Sequence, residues 1–322
     1  MAPTDLAPES RAIFAAMERL GLLDGEATTV EEMRRQAAEE RPLMGEPPPV
    51  ARVEDLRIET VAGALPLRVY WPGGAPERAI LWLHGGGWVI GDLAHCDVDC
   101  RRLCLDTSSL VAAVEYRLAP ENPFPAGLED AYGALQWLAG ELGTRYSPRH
   151  VVVGGDSAGG NLAAALCLLA KGRGGPAIDQ QLLIYPVADD DFGTDSYREF
   201  GEDYVLTRDS MARFWTHYVG ERVGEAPELA AILRAPDLRQ LPPASVVIAG
   251  CDVLRDEAEG YAARLGEAGV PVEVLRYPGQ LHGFWTYGAG SQLPHQVNSR
   301  IRECFLARER SSLLAGKRSS RR

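Results

Sequence analysis

Ser157 lies in the run Gly155-Asp156-Ser157-Ala158-Gly159-Gly160, directly after Val151-Val152-Val153 and ahead of a helix-forming stretch from Asn161 to Ala170. A serine between glycines, at the corner where a strand turns into a helix, is how a hydroxyl becomes an exposed nucleophile. The corner is too tight for side chains at its flanks, so Gly155 and Gly159 let the helix pack close to the strand. The amide of Ala158 opens the helix, where N–H groups lack intrahelical acceptors and face an anion readily.

A second run, His84-Gly85-Gly86-Gly87-Trp88, follows the apolar stretch Ile80-Leu81-Trp82-Leu83. Consecutive glycines free the backbone to turn its N–H groups toward a reacting centre. Gly85 and Gly86, with Ala158, are expected to donate to the oxyanion of a tetrahedral intermediate.

A serine hydroxyl is a poor nucleophile at neutral pH and needs a base. Of the six histidines, His84 belongs to the glycine loop, and His95, His150, His217 and His295 sit in helical or loop contexts. His282, in Gln280-Leu281-His282-Gly283-Phe284, comes just after the last β-rich run and is expected on the edge that carries Ser157. Asp252 follows Val246-Val247-Ile248-Ala249-Gly250 and is the expected carboxylate partner of that histidine. The chain order serine, acid, histidine is the one this constellation takes on such a sheet. Asp256 and Glu257 are rivals for the acid, but they read as the first turn of the next helix, where carboxylates suit the dipole. Asp156, beside the serine, is expected to turn its side chain away from the reacting face. It is nonetheless grouped with Trp88, Phe214 and Phe284 as a candidate substrate contact.

The elements that must position these groups are readable in outline. Two helical patterns, Pro8–Leu22 and Thr29–Glu40, precede the Pro47-Pro48-Pro49 boundary. Eight β-rich runs follow: Val53–Thr60, Leu65–Trp71, Ala79–His84, Leu110–Tyr116, Val151–Gly155, Gln181–Tyr185, Ser245–Gly250 and Val272–Tyr277. The first two alternate around Ala62-Gly63-Ala64 like a hairpin, and the later ones are continuously apolar, as strands covered on both faces are. Helical stretches at Val98–Thr107, Leu128–Gly140, Ala158–Lys171, Asp256–Ala268 and Pro294–Arg308 alternate with them. That alternation predicts an α/β fold with a mostly parallel eight-stranded sheet and helices on both faces. The connection between Tyr185 and Ser245 spans roughly sixty residues, too many for a simple loop. It carries Asp189-Asp190-Asp191, several aromatics and a helix with Phe214, Trp215 and Tyr218, and is expected to cover the ligand-binding edge of the sheet.

The chain has 322 residues, 46% hydrophobic and 24% charged, with a net charge of −12. That balance suits a globular domain and argues against nucleic acid or an anionic membrane as partner. No signal-peptide pattern opens the chain and no run reaches the length of a membrane span, so a cytoplasmic location is expected. Cys96, Cys100, Cys104, Cys167, Cys251 and Cys304 form no C-x-x-C clip and read as buried reduced thiols rather than metal ligands. Cys251, beside the expected acid, is a candidate for sensitivity to thiol reagents. The basic end Gly316-Lys317-Arg318-Ser319-Ser320-Arg321-Arg322 reads as a solvated, disordered tail.

Together the residues resemble the bacterial hormone-sensitive-lipase-like family of carboxylesterases, of the α/β-hydrolase fold. The likeness rests on His84-Gly85-Gly86-Gly87-Trp88, Tyr116-Arg117-Leu118-Ala119-Pro120-Glu121, Gly155-Asp156-Ser157-Ala158-Gly159-Gly160, Asp252 with Leu254-Arg255-Asp256-Glu257, and His282-Gly283-Phe284. It runs from about residue 45 to 310. The family usually has proline after the triad acid, where this chain has Val253; the proline would stiffen the turn and supplies no catalytic atom. The resemblance implies a cap built from an N-terminal helical segment (1–48) and an insertion (187–242), over a hydrolase core of residues 49–186 and 243–312, with 313–322 as the tail. By the same resemblance, Tyr116 to Glu121 is a structural loop whose buried polar groups brace the oxyanion segment.

The implied activity is hydrolysis of short- to medium-chain acyl esters through an acyl-enzyme, without metal or organic cofactor. An amidase or N-deacetylase on the same triad is the alternative, and a non-catalytic ligand-binding relative is a third reading. The expected partner is a small-molecule ester, and pairing of two copies at the last strand is a further option.

Overall fold

The computed structural model describes residues 3, 5–23, 29–142 and 148–319, with side chains through residue 310. Its centre is one eight-stranded sheet: β1 (Arg52–Thr60), β2 (Gly63–Trp71), β3 (Arg78–Leu83), β4 (Leu110–Val114), β5 (His150–Asp156), β6 (Gln180–Ile184), β7 (Ala244–Cys251) and β8 (Val272–Leu281). The spatial order is β1-β2-β4-β3-β5-β6-β7-β8. β2 runs antiparallel to both β1 and β4, and the other pairings are parallel.

All eight β-rich runs form strands. β1 and β2 join through a tighter turn than expected: Thr60 already pairs with Gly63, whose φ of 113° a side chain would resist. The strand ends line up at one edge, because Leu83 pairs with Gly155, Asp156 with Ile184, and Cys251 with Leu281. Every loop that leaves this edge therefore starts at nearly the same height.

Side-chain alternation divides the core. Ala79, Leu81 and Leu83 face α4 (Ala126–Trp137), α5 (Ala158–Arg173) and α8 (Arg255–Glu267). Ile80 and Trp82 face α3 (Asp97–Thr107) and α9 (Leu293–Ser319). Cys96, Cys100 and Cys104 belong to this second layer. All six cysteines are unpaired, and only Cys304 is more than slightly exposed. Cys251 is buried against Asp5, and burial pushes its thiol up to about 12, which works against the expected sensitivity to thiol reagents.

At the N-terminus, α1 (Pro8–Leu20) and α2 (Val30–Glu39) lie before β1. A capping box of Thr29 and Glu32 starts α2. The connection between β6 and β7 carries α6 (Asp195–Phe200) and α7 (Arg208–Val219), capped by Thr194 and Thr207. Buried Asn161 at the start of α5 fastens this connection by donating to the carbonyls of Val187 at 3.0 Å and Ala230 at 2.8 Å.

The last helix corrects the reading of the tail. α9 continues to Ser319, and only 320–322 lie outside the described residues at this end. The reason is local: Leu313-Leu314-Ala315 are strong helix formers, no proline intervenes, and an existing helix propagates readily. Among the described residues no helix is long and apolar enough to cross a membrane, and no group of histidine, cysteine and carboxylate side chains could hold a metal ion.

Candidate active site

Ser157 occupies the turn between β5 and α5 at φ 53° and ψ −119°. A non-glycine residue there carries about 1–3 kcal/mol of backbone strain. The surroundings impose it: the Ser157 amide donates to the Ile184 carbonyl at 2.8 Å, while its own carbonyl accepts from Asn161 at 3.0 Å. The packing explains Gly159 directly. A Cβ at this position would lie 1.9 Å from the Leu83 carbonyl oxygen. Only a glycine lets α5 press against the end of β3 while Ser157 turns outward.

Ser157 Oγ lies 3.0 Å from His282 Nε2, and His282 Nδ1 lies 2.7 Å from Asp252 Oδ2. The carboxylate holds the proton on Nδ1, which leaves Nε2 free to accept from the serine hydroxyl. Asp252 is itself oriented by the Leu254 amide, which donates to Oδ1 at 3.0 Å. Its side chain is nearly inaccessible to water, and His282 is only 13% exposed. The Tyr185 ring packs beside the imidazole at 4.6 Å between centroids. The three side chains thus meet from the ends of β5, β7 and β8. Asp256 and Glu257 do not join them. They lie in the first turn of α8, where Asp256 accepts from the Ser196 amide at 2.7 Å and Glu257 from the Ala188 amide at 2.8 Å.

The glycine loop turns with positive φ at Gly86 (108°), Gly87 (57°) and Trp88 (62°). Two of these positions require glycine: a Cβ on Gly86 would meet the Ile90 carbonyl at 2.3 Å, and one on Gly87 would meet the Phe214 ring at 2.2 Å. Here one expectation is corrected. The Gly85 amide donates to Asp156 Oδ1 at 2.9 Å and has no hydrogen left for an oxyanion. Gly86 and Gly87 line the cleft beside Ser157, and among the described residues their amides, like that of Ala158, have no acceptor. The donor set the geometry offers is therefore Gly86, Gly87 and Ala158.

Asp156 lines the cleft, and its carboxyl is tied to the Gly85 amide. Burial, reinforced by nearby Asp99, pushes this carboxyl up to about 8 despite the Gly85 hydrogen bond. Phe214 also lines the cleft. Trp88 and Phe284 do not. Trp88 is 1% exposed and stacks on Tyr218 at 4.1 Å and 4°, with Trp215 at 4.8 Å. Phe284 is equally buried, between Tyr185 and Tyr277. In both cases a large ring next to a site residue faces the interior, because the tight loop consumes the short reach to the cleft.

The loop from Tyr116 to Glu121 does brace the glycine segment. Tyr116 stacks on His84 at 4.3 Å and donates from its hydroxyl to the His84 carbonyl at 2.7 Å. The Ala119 amide donates to the Trp88 carbonyl at 2.9 Å. His84 is buried, which lowers its tendency to protonate, and its Nδ1 donates to the Gly85 carbonyl at 2.7 Å. No sequence signal pointed to Arg34 of α2. Its guanidinium donates to the carbonyls of Val89 at 3.0 Å and Ala119 at 3.2 Å and grips both Glu121 oxygens at 2.7 Å.

The cleft holds a cavity of about 170 Å³ and opens to solvent. Leu22, Leu23 and Met33 of the N-terminal segment and Val205, Leu206 and Phe214 of the insertion form its apolar wall. Polar groups collect elsewhere in it: Glu40, His95, Arg213 and Tyr287. Burial drives His95 down to about 4, so it is neutral at pH 7. Nor did any pattern point to Glu40 or Tyr287, since each reaches the cleft from an element remote from the motifs.

A mostly parallel sheet with a serine elbow, a histidine–carboxylate pair and a glycine loop at one edge defines a hydrolase of the α/β class. Residues 80–286 match the model of a family described as alpha/beta hydrolase fold. The chain is 43% identical over 251 residues to carboxylic ester hydrolase LipN of Mycobacterium tuberculosis, covering 74% of this chain and 66% of that protein, just under two thirds of its length. It is 41% identical over 246 residues to esterase LipI of the same organism, covering 74% and 77%. The solved structure of an esterase from Pyrobaculum calidifontis superposes with a TM-score of 0.83 at 35% identity, over 92% of this chain and 97% of that one. The chain belongs to the α/β-hydrolase fold family, in its hormone-sensitive-lipase-like group.

Proposed function

We propose that this protein is a serine carboxylesterase, with Ser157 as nucleophile, His282 as general base and acid, and Asp252 as the carboxylate that fixes the imidazole. The observation that carries the reading is Ser157 Oγ within 3.0 Å of His282 Nε2, facing amides that have no other acceptor among the described residues. His282 takes the hydroxyl proton as the oxygen attacks the ester carbonyl. The amides of Gly86, Gly87 and Ala158 hold the oxyanion, and the developing imidazolium is stabilised by Asp252. His282 then protonates the departing alcohol. Water, deprotonated by the same imidazole, releases the acid from the acyl-serine. No step calls for a cofactor.

The N-terminal segment and the insertion serve as the cap, a reading supported by the residues that both contribute to the apolar wall of the cleft. A cleft of this size, lined by those two segments, favours short to medium acyl chains. Six unpaired cysteines suit a reducing, cytoplasmic setting. β8 ends the sheet and offers an edge on which two copies can pair, a point that light scattering in solution decides.

The test is hydrolysis of p-nitrophenyl butyrate by the wild type and Ser157→Ala, with fluorophosphonate labelling of Ser157. Full activity in the alanine variant overturns the assignment. A matched butyramide cleaved as fast as the ester moves it to amide hydrolysis.

A further inference from the structure

Glu40 stands in the cleft with half of its carboxylate unused. It caps the end of α2, where its own amide donates to the Gln36 carbonyl at 3.1 Å. One oxygen, Oε2, accepts from the Tyr287 hydroxyl at 2.7 Å. The other, Oε1, has no partner among the described residues, and no described cation pairs with Glu40. The cleft that Glu40 lines also includes the apolar Met33, Leu22 and Leu23 and the polar Gln36 and Tyr287. A carboxylate partly withdrawn from water without a counter-charge is costly, and the burial raises its pKa accordingly. A structure that merely needed to fill this place would do so with an apolar side chain.

The position relative to the chemistry is defined. Gly283, next to His282, adopts φ 83°, and a Cβ on it would lie 2.5 Å from Cε2 of Tyr287. The Tyr287 ring therefore lies directly against the histidine loop, with its hydroxyl extending to Glu40. In ester cleavage His282 delivers a proton to the alcohol oxygen, so that oxygen sits at His282 and its substituent continues along whichever wall adjoins it. Tyr287, which packs against the histidine loop, and Glu40, bonded to its hydroxyl, both line the cleft on that side.

We propose that Glu40, held by Tyr287, is a specificity subsite for the alcohol portion of the substrate, and that it selects esters whose alcohol carries a hydrogen-bond donor, ammonium above hydroxyl. The inference rests on the esterase reading and deepens it. An ester with such a donor gives Oε1 its missing partner. A plain alkyl ester offers it no such partner, a difference that sites built for hydrogen bonding convert into discrimination.

Three matched acetates test this: pentyl acetate, its terminal-hydroxyl analogue and its terminal-ammonium analogue, with p-nitrophenyl butyrate as reference. The wild type is expected to favour the ammonium ester over pentyl acetate by about tenfold or more in kcat/KM, with the hydroxyl ester between them. Glu40→Gln keeps an acceptor but no charge; it abolishes the ammonium preference and retains part of the hydroxyl one. Glu40→Ala abolishes both. The ratio is taken within each variant, so a change in folded fraction cancels. If the wild type hydrolyses p-nitrophenyl butyrate yet treats the three acetates alike, or if its preference survives in Glu40→Ala, the subsite is refuted while the esterase stands. If the wild type hydrolyses none of the four, the esterase reading itself falls.

Discussion

Asp156 Oδ1 accepts the amide hydrogen of Gly85 at 2.9 Å, tying the residue before the nucleophile to the first glycine of the facing loop. The bond spans two neighbouring strands, β5 and β3, at the point where both end. It sets the height from which the loop departs and leaves the next two amides to face Ser157. The serine and the proposed oxyanion donors are thus referenced to one another through a side chain that takes no part in bond making.

This tie has a pH signature. The folded Asp156 carboxyl is raised to about 8, whereas an unfolded aspartate ionises near 4. Between those values the unfolded chain binds fewer protons at this position, so the contribution of Asp156 to stability declines as pH rises from about 4 to about 8 and is level above that. Asp156→Asn keeps an acceptor for Gly85 and removes the titration. The melting temperature of Asp156→Asn minus that of the wild type is expected to grow across this window. A difference independent of pH in calorimetry would contradict the shift.

Ser157→Ala is expected to lower kcat on p-nitrophenyl butyrate by at least about a thousandfold with the fold intact by circular dichroism. Asp252→Asn, which removes the charge and the tautomer control but not the shape, should cost about a thousandfold to ten-thousandfold. Stopped assays at high enzyme concentration measure both.

Two glycines in one helix should respond in opposite ways. Gly159→Ala places a methyl 1.9 Å from the Leu83 carbonyl, and the backbone must move to admit it. A loss of about 3 kcal/mol or a failure to fold is expected. Gly172, near the end of the same helix, has an ordinary helical φ, and a methyl added there would meet nothing within 4 Å. Gly172→Ala should stabilise by about 0.5–1 kcal/mol. Urea denaturation reads both.

Arg34 links α2 to the loop that carries the proposed oxyanion donors. Arg34→Ala is expected to lower kcat by about tenfold with a smaller change in KM, because the contacts it loses are to the Val89 and Ala119 carbonyls and to Glu121, not to substrate. Arg34→Lys, which cannot form the forked grip on Glu121, should restore only part of the rate. Equal losses in melting temperature but none in kcat would mean that the arginine only stabilises the fold.

The sheet and most of the site are legible in the sequence because their signals are local. An apolar run of five or six residues reports a strand covered on both faces, and β3, β5 and β7 do so plainly. Ser157 and Asp252 are visible because each follows such a run, and His282 because it comes just after the last β-rich run, which places all three at one edge before any coordinate is known. Trp88 and Phe284 mislead for the complementary reason: adjacency in the chain says nothing about which way a ring turns once the loop is tight. The run from Leu313 misleads in another way, since a basic composition hides a stretch that still propagates a helix.

What the sequence determines by itself is therefore the order of the strands' chemistry: nucleophile, acid and base, each at the end of a strand in a parallel sheet. What only the tertiary structure decides is the use of each polar group once the loops close. Gly85 and Gly86 are equivalent as letters, and the distance to Asp156 alone makes one a tether and leaves the other free. Glu40 and Tyr287 are separated by most of the chain, and their hydrogen bond exists only because α2 and the histidine loop pack against the same cleft. Local patterns encode backbone conformation and burial, but the partner of a hydrogen bond is a matter of position in space.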